Sequence, residues 1–450
     1  MLSKFQTFFA RLIENELIRR ILKNSGYLFS ATGITAGMSM VQSILAGKLL
    51  GPGGFGILGA MTQFTSVINR FASFRMNELV VRYVGHYQEE DDPQRAAAVF
   101  KMAAFLEIGG SLLAFGLIWG LAPLGAKYFA QDPTLARWFQ IYGWIVLANL
   151  IFESASGILQ IFDRFRTIAI VSVAQGTITL VLIVAAFFAK TGLISIILAY
   201  MVGKIVYSLL ISIAALREAH RAWGSNWWRT PLNVLQSERR TLLTFAFSTN
   251  LSSTGSLVAK DSEILWVSAF LGPVQAGYYK VAMAITNLLL LPVSPLPKAT
   301  FPELAREIAR KHWHNVRYVL RQGSRLAALY SLPVAIMLIL FGQKLIEWTW
   351  GPKFLPAYPA LVILLIGFSF VNIFYWNRVA LLSLARPIFP TIVNFVGMVL
   401  KVAAIYIFVP SSGYLTFAIL LTAYYFFTVG IAAVRVHTDL KTRAKNPGEA

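Results

Sequence analysis

Long, nearly uncharged apolar stretches recur along this chain, and they restrict its fold more than any other feature. A helix that crosses a bilayer needs about 20 predominantly apolar residues, and the sequence contains a series of such stretches. A backbone in lipid must satisfy its own polar groups, so each stretch is predicted to be helical. The predicted spans are 27–48, 56–75, 100–122, 138–161, 167–189, 193–215, 242–271, 277–297, 323–343, 358–382, 388–409 and 414–434. The chain is therefore predicted to be an all-α integral membrane protein with twelve transmembrane helices.

The composition agrees with a membrane location and excludes other classes of protein. Hydrophobic residues make up 57% of the chain and charged residues 13%, whereas soluble domains carry about 25% charged residues. A water-soluble globule or a disordered chain needs a more polar composition than this. The chain contains no cysteine, which excludes disulfides and thiolate metal ligands. Runs such as 178–188 lack the alternation of barrel strands, which argues against a β-barrel.

Lysine and arginine are concentrated on alternate connections between the predicted spans. The odd-numbered connections, counted from the N-terminus, hold 28 of these residues, and the even-numbered connections hold 7. Basic loops stay on the cytoplasmic side, so both termini are predicted to be cytoplasmic. The net charge of +20 is explained by these loops and by contact with anionic membrane lipid. Nucleic acid is therefore not expected as a partner.

Three segments outside the spans are predicted to lie at or beyond the membrane surface. Residues 1–24 place apolar side chains at helical spacing between basic ones, which is typical of an interfacial amphipathic helix. Residues 217–241 are predicted to be a cytoplasmic linker, and their three tryptophans favour the interface over a solvated loop. Residues 436–450 are predicted to be a cytoplasmic tail.

The two halves of the sequence align without a gap at an offset of 221 residues. Leu50-Gly51-Pro52 falls on Leu271-Gly272-Pro273, Gly56 falls on Gly277, and the first six spans fall on the last six. Six spans per repeat give both halves the same topology. The prediction is an N-lobe over 25–216 and a C-lobe over 242–435, related by a pseudo-twofold axis along the membrane normal. Such lobes place a site near the midplane, where they meet.

Nine charged residues lie more than three residues from the ends of the predicted spans, where each costs about 2.5–3.5 kcal/mol and is a functional hypothesis by default. The basic ones are Arg70, Lys204, Lys260, Arg378 and Lys401, and the acidic ones are Glu107, Glu153, Asp261 and Glu263. The four acids are candidate carriers of a proton or a sodium ion, because burial favours cycling of the carboxyl group between protonation states. The alternative is that they only hold the basic residues in place. Lys260 and Glu263 are three residues apart, so they are also candidates to neutralise each other.

Short motifs follow one another in a fixed order through both halves of the chain. They are Lys48–Gly56, Arg82-Tyr83-Val84, Ile158-Leu159-Gln160, Asp163–Arg166, Glu263-Ile264-Leu265, Phe270–Pro273, Gly277-Tyr278-Tyr279 and Pro302-Glu303-Leu304. In this order the chain resembles the polysaccharide flippases of the multidrug/oligosaccharidyl-lipid/polysaccharide superfamily over nearly its whole length. One position departs from the family pattern, because Glu263 stands where relatives tend to carry aspartate.

The resemblance implies two six-helix lobes around a V-shaped cavity that opens to either side in turn. It implies export of undecaprenyl-diphosphate-linked oligosaccharide units from the cytoplasmic to the outer leaflet of a bacterial inner membrane. The product would serve a surface polysaccharide such as an O-antigen or an exopolysaccharide. A proton or sodium gradient is the candidate driving force, and a polysaccharide polymerase is a candidate partner.

A lipid diphosphate needs cations in a cavity and a lateral gap for its polyprenyl tail. Guanidinium and ammonium groups are the residue types that bind phosphate oxygens, and a stripe of polar residues over 249–256 is predicted to line water or sugar hydroxyls. The alternatives are snorkelling of Arg75 and Arg378 to the headgroups, and interhelical hydrogen bonding by the stripe. The residues predicted to bind the substrate are Arg70, Arg75, Lys260, Arg378 and Asn250.

Other functions are less favoured by the sequence. The five histidines fall in predicted cytoplasmic segments without the spacing of metal ligands, and the turn Gly51–Gly56 lacks the Lys-Ser/Thr of a phosphate loop. Neither a cofactor nor a catalytic site is therefore predicted, and the chain is not expected to be an enzyme. The alternative function is a multidrug/ion antiporter of the same superfamily, which would favour an acidic cavity. A membrane-bound polymerase or glycosyltransferase would need a larger loop than 298–325, the longest predicted here.

Overall fold

The computed structural model of the protein describes residues 16–72, 76–244, 257–386 and 388–445. Side chains are described in the same ranges except at 16–25, 259, 298, 299, 302, 410–412, 444 and 445. Within these ranges the chain forms helices joined by short turns, without a β-strand. The prediction of an all-helical protein is confirmed for this part of the chain.

The helices follow one another in two series, before and after residues 245–256. The first series is α1 (Glu16–Ala72), α2 (Met76–Glu89), α3 (Pro93–Gly125), α4 (Ala136–Gly143), α5 (Ile145–Ala148), α6 (Phe152–Ile161), α7 (Phe165–Phe188) and α8 (Leu193–Trp223). The second series is α9 (Glu263–Leu271), α10 (Pro273–Leu290), α11 (Leu296–Ala309), α12 (Trp313–Thr349), α13 (Ala357–Ile373), α14 (Asn377–Ser383), α15 (Ile388–Ser412) and α16 (Leu415–Lys445). Two π-helical turns, Ala126–Ala130 and Leu257–Asp261, lie outside these helices.

Nine helical segments of the described chain are long and apolar enough to cross a membrane. They cover ten of the predicted spans, because the segment Gly26–Ala72 contains the first two. Predicted span 242–271 falls partly outside the described residues. Predicted span 277–297 corresponds to α10, which ends at Leu290, because prolines at 292 and beyond cannot continue the helix. A multi-pass membrane protein is confirmed, and the total of twelve helices stays a prediction.

A glycine and a proline end one helix and begin the next at two places in the chain. Gly51, inside α1, has φ 65° and ψ 179°, and Gly272, before α10, has φ 90° and ψ 172°. This region of backbone space is open almost only to glycine. Pro52 and Pro273 follow, and a proline at the first position of a helix gives up no intrahelical hydrogen bond. Each Leu-Gly-Pro motif therefore ends one helix and begins the next.

The chain divides into two compact units that do not follow sequence order. Unit 1 comprises Met1–Ala46, Ile68–Ala122 and Arg137–Leu251, and unit 2 comprises Gly47–Val67, Pro123–Ala136 and Ser252–Ala450. Two early segments, 47–67 and 123–136, thus belong to unit 2, because they pack against helices of the second half. The lobe boundaries predicted from sequence order stay a prediction.

Residues 217–241 belong to unit 1 and pack against its other helices. Helix α8 continues to Trp223, and the ring centroids of Trp223 and Trp227 lie 6.0 and 5.3 Å from that of Phe100. The hydroxyl of Tyr87 donates a hydrogen bond to Glu238. Burial, followed by this hydrogen bond, raises the pKa of Tyr87 above its ordinary value of 10.0. An aromatic cluster and a half-buried hydrogen bond therefore hold the segment in place.

Buried amide and indole groups connect the helices of unit 2. Asn372 of α13 is 2% exposed, and its Nδ2 donates to the carbonyl oxygen of Leu289 at 2.9 Å and to Ser331 Oγ at 3.0 Å. Trp376 Nε1 donates to Ser324 Oγ at 2.7 Å. A polar group buried without a partner costs about 1–3 kcal/mol, so these bonds specify how α10, α12 and α13 pack.

Several predicted features lie outside the described residues. They are Arg75, Asn250 with the rest of the stripe 249–256, and residues 1–15 of the predicted interfacial helix 1–24. From Glu16 onward the backbone of that segment is continuous with α1.

Candidate functional site

The charged residues of predicted span seven lie at a break in a helix. The π turn Leu257–Asp261 is followed by Ser262, which leaves helical geometry at φ −105° and ψ 15° before α9 begins. Ser262 Oγ donates at 3.0 Å to the carbonyl oxygen of Val258. Single π turns are frequent at functional sites, and interrupted membrane helices carry the ligand sites of many transporters. The candidate residues at this break are Lys260, Asp261 and Glu263.

Glu263 is the centre of a buried polar network in unit 2. Its side chain is 2% exposed, accepts a hydrogen bond from the Tyr279 hydroxyl at 2.8 Å, and forms an ion pair with Lys401 of α15. Lys401 is 4% exposed, and its Nζ lies 5.9 Å from the ring centroid of Tyr424. The alternative that Lys260 neutralises Glu263 is wrong, because the ion-pair partner of Glu263 lies 138 residues away in sequence.

The ion pair depends on both of its members. Taking two charges out of a polar medium is expensive, and their attraction offsets this cost only when the geometry is good. Removing one partner from such a pair costs about 3–5 kcal/mol, because it leaves the other charge buried alone. A ligand that replaces either partner must therefore supply the same charge, so the pair is suited to exchange with an anion at Lys401 or with a cation at Glu263.

This charged network is confined to the second half of the chain. The residues 221 positions before Glu263 and Lys401 are Gln42 and Leu180. Gln42 is 3% exposed, and its Nε2 donates to the carbonyl oxygen of Gly176 at 2.9 Å. The equivalent place in the first half is therefore neutral.

Lys280 is a half-buried cation that is absent from the candidate residues predicted from sequence. Its Nζ lies 4.1 Å from the ring centroid of Phe55 and 3.5 Å from the carbonyl oxygen of the same residue. A Cβ at Gly59 would lie 2.9 Å from Lys280 Cδ, so the stem fits a niche that only glycine leaves open. Among the described residues, no carboxylate lies within 4.0 Å of this amine. The lysine thus has an aromatic face and a carbonyl as its surroundings.

The position of Lys280 was missed because it lies at the start of predicted span 277–297 and was counted with the connection before that span. The signal that identifies it is Pro273, which begins α10 and places Lys280 about 10 Å along that helix.

The two Leu-Gly-Pro turns pack directly against each other within unit 2. A Cβ at Gly56 would overlap the carbonyl oxygen of Pro273, and a Cβ at Gly277 would overlap the carbonyl oxygen of Pro52. Each contact is the other one moved by 221 residues. The backbones of α1 and α10 therefore touch where a side chain would separate them.

Glu107 caps a helix. Its side chain is 2% exposed, and its carboxylate accepts hydrogen bonds from Glu153 N at 2.6 Å, Ser154 N at 2.9 Å and Ser154 Oγ at 2.7 Å. Glu153 and Ser154 are the second and third residues of α6, and Ile151 before that helix has no capping side chain. The carboxylate thus satisfies free N–H groups and faces the positive end of the helix.

The remaining candidates lie in separate parts of the chain. Arg70 and Arg378 are exposed, and they belong to units 1 and 2 respectively. Lys260 is half-buried, and Asp261 and Glu153 both have interaction partners. The joint binding of a diphosphate by Arg70, Lys260 and Arg378 stays a prediction.

The described residues contain no group of three or more His, Asp or Glu side chains arranged to hold a metal ion. The buried acids already have protein partners, since Glu107 binds a helix end and Glu263 binds Lys401.

Solved structures of two kinds share this fold. One is an inward-facing multidrug resistance MATE family transporter of the MOP superfamily, with a TM-score of 0.69, 14% identity, and coverage of 92% of this chain and 96% of that one. The other is the lipid II flippase MurJ in an inward closed conformation, with a TM-score of 0.68, 15% identity, and coverage of 91% and 87%. At this identity the likeness describes the fold.

Sequence comparisons point to a narrower group. The inner membrane protein YghQ of Escherichia coli K12 is 26% identical over 343 residues, which are 76% of this chain and 95% of that protein. The MatE family profile matches residues 262–407. The profile of the family described as polysaccharide biosynthesis protein matches residues 21–307, which is more than half of the chain. The chain therefore belongs to the polysaccharide biosynthesis protein family, and with it to the flippases of the multidrug/oligosaccharidyl-lipid/polysaccharide superfamily.

Proposed function

We propose that this protein flips undecaprenyl-diphosphate-linked oligosaccharide units across a bacterial inner membrane, from the cytoplasmic to the outer leaflet, by alternating access. Membership of the polysaccharide biosynthesis family and the fold shared with the lipid II flippase MurJ support a lipid-linked substrate. The inner membrane location follows the name of YghQ and the basic loops.

The observation that supports an anionic substrate most directly is Lys280. Its amine lies against the face of Phe55, and no carboxylate of the described residues neutralises it. A lysine in such surroundings attracts an anion, and a phosphate oxygen is the anion that a lysine point charge commonly binds. A site for organic cations would instead present a carboxylate or an aromatic face without a fixed positive charge.

The buried pair of Glu263 and Lys401 provides a candidate link between substrate and ion movement. A diphosphate that approaches Lys401 weakens its attraction to Glu263, and the carboxylate then needs a proton or a sodium ion in place of the amine. The exchange keeps the buried charge compensated at every stage. Asp261 lies on the adjoining π turn and is the second carboxylate in this part of the chain.

In the proposed mechanism the two halves of the chain form two six-helix lobes, which are related by an offset of 221 residues. The reciprocal contacts of Gly56 with Pro273 and of Gly277 with Pro52 support this repeat, because a pseudo-twofold axis generates one contact from the other. With both termini cytoplasmic, the Leu-Gly-Pro turns lie at the outer end of their helices. A polysaccharide polymerase would act on the flipped product.

A multidrug/ion antiporter is the second candidate function. The match of the MatE profile to residues 262–407 favours it, since this segment contains both Glu263 and Lys401. It would use the carboxylates of that network to bind organic cations, and Lys280 would then oppose the substrate.

Changing Lys280 tests the proposal. We expect Lys280→Ala to lower the rate of flipping of a fluorescent undecaprenyl-diphosphate oligosaccharide by about 10- to 100-fold, since a hydrogen bond to a charged group contributes about 1.5–3 kcal/mol. Lys280→Arg keeps the charge and should retain most of the rate. The measurement uses purified protein in proteoliposomes, with quenching of the fluorophore in the outer leaflet.

Lys353→Ala is the matched control, because Lys353 is exposed on a short turn after α12 and its loss should leave the rate unchanged. Two results together would favour the antiporter. The wild-type protein would not flip the oligosaccharide lipid, and deletion of its gene would sensitise cells to cationic drugs without loss of surface polysaccharide.

A further inference from the structure

A groove of about 300 Å³ lies between α15 and α16. Its walls include Leu400, Ala404 and Ala423, and Leu400 is 53% exposed. Both helices belong to candidate membrane spans. The groove therefore presents exposed apolar walls at membrane depth.

The corresponding seam in the first half of the chain is closed. Helices α7 and α8 occupy the positions 221 residues before α15 and α16. A Cβ at Gly203 of α8 would overlap Thr179 Oγ1 of α7, and both Thr179 and Ile183 are fully buried. The helices of the first half thus touch around Gly203, Thr179 and Ile183.

Substitutions at equivalent positions open the second seam. Ile183 corresponds to Ala404 and Val202 to Ala423, so two branched side chains become methyl groups. Gly203 corresponds to Tyr424, whose ring lines the groove and packs against Gly397 of α15, where an added Cβ would lie 3.1 Å from Tyr424 Cε2. Ile183 is fully buried, whereas Ala404 is half-buried, so the change from isoleucine to alanine leaves space between α15 and α16.

The groove also adjoins the buried ion pair. Lys401 lines the groove, and its amine reaches inward to Glu263. The hydroxyl of Tyr424 donates to Asn394 Oδ1 at 3.2 Å, so it is already hydrogen-bonded. The described lining residues contain no carboxylate. The occupant that fits is an apolar chain with an anionic end, and a volume near 300 Å³ is at the lower limit of ligand pockets, as suits a segment of one chain.

We propose that the groove between α15 and α16 holds the polyprenyl chain of the lipid-linked substrate while the diphosphate lies near Lys401. This inference rests on the proposed function and adds the route by which the tail stays in the membrane as the sugar crosses. The tail needs no passage through the polar interior, because the groove lies beside it.

The test is to refill the groove with the side chains of the first half. We expect the double variant Ala404→Ile and Ala423→Val to bind undecaprenyl phosphate about tenfold more weakly than wild type, since it excludes several methylene groups from an apolar site. Binding is measured on the purified full chain by native mass spectrometry, with phosphatidylglycerol as a second probe whose binding should not change. Ala403→Ile is the matched control, because Ala403 is exposed on the same helix and does not line the groove.

The single variant Ala423→Val, which adds two methyl groups, keeps the test valid if the double variant fails to fold, and it should weaken binding in the same direction. If the folded double variant bound undecaprenyl phosphate as tightly as wild type, the groove would not hold the polyprenyl chain. The proposed function would remain intact. Equal weakening for phosphatidylglycerol would also overturn it, because the groove would then hold acyl chains in general. If the wild-type protein bound no undecaprenyl phosphate, both the proposed substrate class and the proposed role of the groove would be contradicted.

Discussion

Glu107 and Glu263 are both 2% exposed, yet their partners give them different roles. Glu107 is held by N–H groups of a helix end and by a serine hydroxyl, which are fixed donors that cannot leave. Glu263 is held by a lysine and a tyrosine, whose side chains are able to exchange with other ligands. Of the two acids, Glu107 therefore stabilises the fold, whereas Glu263 is the acid whose partners are able to exchange.

The capping role of Glu107 predicts a loss of stability on its removal. We expect Glu107→Ala to lower the free energy of unfolding by about 3 kcal/mol, because two N–H groups of α6 lose a charged acceptor. Ser154→Ala removes one of the three hydrogen bonds and should cost about 1 kcal/mol. Denaturant unfolding in detergent, followed by circular dichroism, measures both. A Glu107→Ala protein with wild-type stability and an altered ion dependence of transport would show instead that Glu107 carries the coupling ion.

At the scale of elements, the contact between α1 and α10 depends on two glycines. Gly56 and Gly277 each face the carbonyl oxygen of a proline in the other turn, and a carbonyl of the backbone cannot rotate away as a side chain can. The turns themselves require Gly51 and Gly272, whose positive φ angles other residues adopt only with strain. Glycine thus acts twice in each half, first to break the helix and then to let two backbones touch.

The close contact predicts that a single methyl group separates the helices. We expect Gly56→Ala and Gly277→Ala each to destabilise the protein by about 3 kcal/mol, at the upper end of the range for overpacking. The measurement is the midpoint of thermal unfolding of purified protein in detergent. Gly53→Ala is the control, since the nearest atom to its new Cβ is Val274 Cγ2 at 3.6 Å, an ordinary contact. Wild-type stability in Gly56→Ala would contradict the contact.

At the scale of the whole molecule, the distribution of basic residues determines how the chain is inserted. The connections with 28 lysines and arginines should stay in the cytoplasm and those with 7 should cross. This orientation also determines the direction in which the proposed substrate moves, because it decides which ends of the helices face the site of synthesis of a lipid-linked sugar.

The natural absence of cysteine allows the orientation to be measured with single cysteines. We expect a membrane-impermeant maleimide to label Lys353→Cys in intact spheroplasts and to label Thr442→Cys only after permeabilisation. Both positions are exposed, so accessibility within the protein does not distinguish them. The unmodified chain serves as the unlabelled control, and labelling of Thr442→Cys in intact spheroplasts would reverse the assigned topology.

The sequence predicts which residues of the site carry charge, but it does not predict which of these charged residues pair. Glu263 and Lys401 were both identified as interior charges, because a charged residue in an apolar stretch stands out by composition alone. Their contact joins residues 138 positions apart, and local spacing favoured Lys260 instead. Lys280 was missed for a related reason, since its burial depends on Phe55 and on the space beside Gly59, which lie in another helix.

The helical class, the positions of most spans and the Leu-Gly-Pro turns follow from the amino-acid sequence, because each depends on residues near one another in the chain: apolar runs, prolines, and glycines in tight turns. The partner of Glu263, the role of Glu107 as a helix cap, and the difference between the closed seam of α7 and α8 and the open groove of α15 and α16 were decided only by the tertiary structure. They depend on which helix faces which, and this choice arises from side-chain packing summed over many distant contacts.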